Sequence, residues 1–96
     1  MVETYSTVVI EKESISTLHF PTEPVSKSKE QLLVLKNKLK RSMILGNVHR
    51  TKMRIIFEDE FGLKEVQTTI WAVGDKNIVL KQGIIIPIHR LVDVIL

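Results

Sequence analysis

Apolar positions recur along this chain with two different spacings, and the change falls near Gly46. Before it the spacing is helical: Ser28 and Gln31 have capping-box separation, and Leu32, Leu35, Leu39 and Met43 then fall within about an 80° stripe at 100° per residue. This predicts a helix from Lys29 to about Ile44 with one apolar seam. Lys38 and Arg41 lie opposite the seam, and Lys36 and Lys40 flank it, where their stems can cover apolar surface. Gly46 and Asn47 supply a stop, because both tolerate the left-handed conformation common just past a helix end.

Beyond Gly46 the period is two. Met53, Ile55 and Phe57 alternate with Arg54, Ile56 and Glu58, and Glu60-Phe61-Gly62 reads as a hairpin turn. Val66, Thr68, Ile70 and Ala72 alternate with Glu65, Gln67, Thr69 and Trp71. Gly74 to Asn77 forms a second turn, Ile78 to Lys81 a third strand, Gln82-Gly83 a tight turn, and Ile84 to Ile86 a fourth strand that Pro87 ends. Ile88 to Leu91 makes one helical turn into a closing strand, Val92 to Leu96. The fold expected is mainly β, of α+β type: an N-terminal helix followed by a five-stranded antiparallel small β-barrel. Residues 28–96 form that domain. Residues 1–27, rich in Ser and Thr and barred from helix by Pro21 and Pro24, form an arm that is either an edge strand or partly disordered, with β-capable pieces at Tyr5 to Ile10 and Ile15 to Phe20.

The order of helix, meander, one-turn connection and short closing strand resembles the Sm-like small β-barrel over about residues 28–96. The stretch from Ile86-Pro87-Ile88-His89-Arg90 to Val94 is similar to the run into the last strand of such barrels. The chain is also similar to a family of small uncharacterised bacterial proteins through Gly46-Asn47, Val66 to Ala72, Val79-Leu80-Lys81 and Ile86 to Arg90; that resemblance implies no activity. The Sm-like resemblance implies a base-gripping Asp and Asn loop, for which Asp75 and Asn77 stand, and a glycine-containing loop near the last strands, for which only Gly83 stands. Ring assembly and uridine recognition therefore do not carry over.

Composition narrows the functional classes. Ninety-six residues suit one domain. With no cysteine, disulfides, thiolate metal sites and thiol catalysis are excluded, and a reducing compartment, the cytoplasm, is expected. The N-terminus lacks the basic and apolar regions of a secretory signal, and the longest uncharged apolar run, Gly83 to Ile88, is far short of the roughly 20 residues that span a bilayer. His19, His49 and His89 have no neighbouring ligand-type partner, whereas a metal site needs three or four converging donors. Glu58, Asp59 and Glu60 read as a polar hairpin shoulder. No glycine-rich phosphate loop or nucleophile elbow is present, so neither cofactor nor enzymatic activity is expected.

Two binding surfaces remain. The net charge of +3 hides nine basic residues against Glu30 alone between Ser26 and Arg54, with ten acids against five bases elsewhere. Lys36, Lys38, Lys40, Arg41, Arg50, Lys52 and Arg54 are thus the candidate contacts to RNA or DNA phosphates, although a lysine-rich helix face can equally be only a solvated one. The alternation also points Ile56, Trp71, Val73, Val79 and Ile85 outward. That apolar surface needs cover, from the helix, from the arm with Leu18 and Phe20, or from a second copy or protein partner anchored on Trp71.

Overall fold

The computed structural model describes residues 6–96; the first five residues, with the start of the β-capable piece at Tyr5, lie outside the described residues. Among the described residues the order is β1 (Val8–Ile10), α1 (Lys29–His49), β2 (Met53–Asp59), β3 (Gly62–Thr68), β4 (Ile70–Val73), β5 (Asn77–Leu80), β6 (Ile85–Pro87) and β7 (Leu91–Ile95). Short 3-10 turns lie at Lys12–Thr17, Lys81–Gly83 and Ile88–Arg90. The strands form a four-stranded sheet, β1-β3-β2-β7, and a three-stranded sheet, β4-β5-β6. Neither closes on itself.

The architecture is therefore mixed α+β with two sheets, and it corrects the expected helix followed by a five-stranded Sm-like barrel. The strand expected from Val66 to Ala72 breaks at Thr69. On one side of the break β3 pairs with β2 and β1, and on the other β4 pairs only with β5. The arm supplies a further strand, since β1 runs parallel to β3 with Val9 opposite Glu65. Strand pairing does not join the sheets; α1 packs on β4 of one and on β7 of the other.

The helix begins where its capping box predicts: the Ser28 hydroxyl accepts from the Gln31 amide at 3.1 Å, and the Ser28 amide donates to Gln31 Oε1 at 2.9 Å. It does not stop at Gly46 but runs to His49, with Arg50 in the left-handed region at φ 53°. Its buried stripe is rotated from the expected seam: Leu35, Leu39, Ser42 and Gly46 are buried, Leu32 is partly exposed and Met43 half-buried. The cause is close approach. A Cβ built on Gly46 would stand 2.5 Å from the Ile70 carbonyl oxygen and 2.9 Å from Thr69 Cγ2, so only glycine fits where the helix meets the β3–β4 junction.

Between the sheets lies one core of Leu35, Leu39, Met53, Ile55, Phe57, Val66, Ile70, Ile78, Leu80, Ile86, Leu91 and Val94. Each of these large side chains stabilises the fold by roughly 1.5–3 kcal/mol through burial. The described part of the arm is drawn into it. Ile15 is buried, Leu18 packs against the core, and the Phe20 ring lies 5.8 Å from that of Phe57. Backbone bonds pin the arm further on, from Glu60 N to His19 O and from Val25 N to His89 O. Arg90 is buried and donates to Glu58 O at 2.9 Å and to Glu23 O at 2.6 Å.

Candidate functional site

The seven basic residues singled out in the sequence do not share one surface. Two are engaged by buried carboxylates. Arg54 donates through Nε and Nη2 to both oxygens of Glu65, at 2.9 and 2.8 Å, and Lys38 reaches Asp93 at 2.8 Å. Glu65 is buried, and it also accepts from Gln67 and Thr7; the Arg54 hydrogen bonds hold its carboxyl down at about 2 against the opposing effect of burial. Lys36, Lys40 and Arg41 are exposed along the helix.

Arg50 and Lys52, by contrast, converge on a polar cleft of about 490 Å³ where the C-terminal end of α1 meets the β3–β4 junction. Lys81 enters from the turn after β5 and Lys12 from the arm, and Trp71 stands among them. Asn47, Gln67, Thr68 and Thr69 complete the polar lining, and among the described residues no carboxylate is part of it. Among the described residues Arg50, Lys52 and Lys81 form no ion pair; Lys12 is bonded to the exposed Glu13 at 2.9 Å.

Local backbone geometry builds this cleft. Ile70 pairs with Leu80 and Ala72 with Val79, so Trp71 is the extra residue of a bulge. Bulges redirect a side chain out of the regular alternation, and Trp71 is 48% exposed. Lys81 is placed by a bond from its amide to Thr69 O at 3.0 Å, and Thr69 Oγ1 donates to Thr51 O at 3.2 Å, tying the helix exit to the strand break. Arg50 occupies a left-handed position that glycine would hold with less strain. A cationic side chain thus stands at a backbone site that does not favour one. Such outliers gather at functional sites.

Lys12 and Lys81 escaped the sequence reading because they lie far from the basic block: Lys12 sits between two glutamates, and Lys81 reads as the end of a strand. The apolar set is redistributed too. Trp71 and Ile85 are exposed, Val73 and Val79 half-buried, and Ile56, expected outward, is fully buried. Ile56 lies in register between Glu65 and Asp93, the two carboxylates held by Arg54 and Lys38.

The other candidates have structural partners. The acidic shoulder is a turn device, with Asp59 Oδ1 accepting from the Phe61 and Gly62 amides and from Lys64, and Glu58 bonded to Arg90. His89 Nε2 meets Pro21 O at 2.9 Å. Asp75 and Asn77, the residues of the Sm-like resemblance, are exposed in a turn closed by Gly74 N to Asn77 O and do not border the Trp71 cleft. No helix among the described residues is long and apolar enough to cross a membrane. Comparison of the chain with protein-family models, with curated proteins and with solved structures finds no match.

Proposed function

We propose that this protein is a non-enzymatic nucleic-acid-binding module that takes a short stretch of single-stranded RNA or DNA in the cleft around Trp71. The observation that carries this reading is the convergence of Arg50, Lys52, Lys81 and Lys12 on an exposed tryptophan, with no carboxylate in the lining among the described residues. The chemistry follows from the two residue types. Cations neutralise phosphates and release condensed counterions, and an aromatic face stacks on any base, contributing about 1–3 kcal/mol without reading sequence. The exposed Asn47 offers hydrogen bonds to sugar and base edges. The site accordingly favours single strands over duplex, whose bases are already stacked.

Trp71 is the single tryptophan of the chain, so its fluorescence reports the site directly. Titration with an unstructured oligonucleotide at rising salt is expected to quench it, with log affinity falling against log salt at a slope of about 2 for three phosphates contacted. Lys81→Gln lowers that slope by about 0.7, and Trp71→Ala weakens binding roughly 10-fold or more by anisotropy of the labelled strand. Absence of quenching at low salt, or a slope that Lys81→Gln leaves unchanged, overturns the reading.

A further inference from the structure

A second concavity, of about 720 Å³, opens beside the first turns of α1, between the segment 24–27, the turn 75–77 and residues 87–89. It differs from the Trp71 cleft in character, because its walls are mainly apolar: Val25, Leu32, Pro87 and Ile88 contribute to them. Its size falls within the roughly 300–1,000 Å³ typical of small-molecule sites. The walls are held by hydrogen bonds, not left to close on one another. Val25 N donates to His89 O at 2.8 Å, Ile88 N to Lys76 O at 2.8 Å and Arg90 to Glu23 O at 2.6 Å. Leu32, on a helix residue expected to be core, is still 39% exposed.

Two cations line this concavity, Lys27 and Lys76, and of these Lys27 is the half-buried one while Lys76 is exposed. Lys27 lines it and forms no ion pair among the described residues. The neighbouring Glu58 is bonded to Arg90, so its charge is already engaged. Partial burial, followed by the nearby Arg90 charge, lowers the Lys27 ammonium below the ordinary lysine range, with Glu58 opposing. Asp75, the acid in the lining, is exposed in its turn beside Lys76. A partly desolvated ammonium at the edge of an apolar hollow gains most from an anion that brings its own apolar body.

We propose that this concavity binds a small amphipathic carboxylate, its chain or ring against Val25, Leu32 and Ile88 and its acid on Lys27. The site is separate from the Trp71 cleft and does not rest on the nucleic-acid reading. Octanoate is the probe, with 1-octanol as its uncharged counterpart, followed through the backbone amide resonances of the full chain. Octanoate is expected to shift Val25, Lys27, Ile88 and His89 saturably and to leave Trp71 and Lys81 unmoved. Lys27→Gln weakens binding about 10-fold, Lys27→Arg stays within about 3-fold, and Leu32→Asn, at a partly exposed position that tolerates the change, weakens octanoate and octanol alike. Equal affinity for octanol, indifference to Lys27→Gln, or shifts centred on Trp71 overturn the proposal. Oligonucleotide quenching of Trp71 persists with octanoate bound, so either reading can fail without the other.

Discussion

The outward face of the four-stranded sheet and the Trp71 cleft draw on the same residue types to opposite ends. On the sheet, Arg54 and Lys38 meet Glu65 and Asp93, and Ile56 is buried between the two carboxylates. In the cleft, Arg50, Lys52 and Lys81 stand round Trp71 with no carboxylate in the lining among the described residues. The first arrangement pairs its cations with buried carboxylates; the second leaves charge for a partner. A cation's place in the basic block does not decide which of these it serves. What decides it is a buried acid within reach: Glu65, diagonal to Arg54 on β3, and Asp93 on β7 beside Lys38 of α1.

The sharpest way to break this contrast is at Ile56. If the charged face is interior, Ile56→Ala lowers stability about as much as Ile55→Ala in the apolar core, by roughly 2–4 kcal/mol in urea denaturation. A loss below about 0.5 kcal/mol, typical of a surface position, would return Ile56 to the solvent face.

Gly46 tests the cleft from its floor. Alanine improves helix propensity by about 1 kcal/mol, but its Cβ would meet the Ile70 carbonyl oxygen at 2.5 Å, and neither backbone can yield without moving the helix off the strand. Overpacking of this kind costs about 1–3 kcal/mol, so Gly46→Ala is expected to destabilise by up to about 2 kcal/mol net and to shift Trp71 emission, because the helix exit carrying Arg50 moves with it. A stabilised Gly46→Ala variant with unchanged emission would show that the close approach does not shape the cleft.

A pH titration separates the paired face from the cleft. The Glu65 carboxyl is held at about 2 in the folded chain and returns to the ordinary carboxylate range on unfolding. Its contribution to stability is therefore complete above about pH 5 and is lost as pH falls toward 2. Glu65→Gln is expected to lower the urea midpoint near neutral pH and to flatten its decline between pH 5 and 2, while Lys81→Gln leaves both unchanged. Parallel acid declines in wild type and Glu65→Gln would place the acid sensitivity elsewhere.

These contrasts explain which parts of the molecule were legible in the sequence. The helix start, the Glu60-Phe61 hairpin tip and the turns at Gly74 to Asn77 and Gln82-Gly83 depend on local chemistry, and the residues name them. The break at Thr69 does not show, because the alternation through Val66, Thr68 and Ile70 continues unchanged while the strand passes from one sheet to the other. Alternation read as core against solvent misplaces Ile56, because the second face is also buried at this position and carries the Arg54–Glu65 and Lys38–Asp93 pairs beside it. The parallel pairing of β1 with β3 and the convergence of Lys12, Arg50, Lys52 and Lys81 join segments tens of residues apart. Spacing along the chain carries no record of such meetings.

The smallest expected effect is also the one with opposite signs in the two assays. Arg50 holds a left-handed conformation that costs an L-residue about 1–2 kcal/mol, part of which glycine would return to the chain through its greater freedom when unfolded. Arg50→Gly is thus expected to stabilise the fold by about 0.5–1 kcal/mol, since the arginine side chain is exposed and forms no ion pair among the described residues. The same change removes one of the cations facing Trp71, so oligonucleotide affinity falls and the salt slope drops by about 0.7. A residue kept for the fold alone would lose stability on replacement and leave binding unchanged. Gain in one measurement with loss in the other identifies Arg50 as strain retained for a ligand, which is what distinguishes the cleft from the paired charges of the sheet.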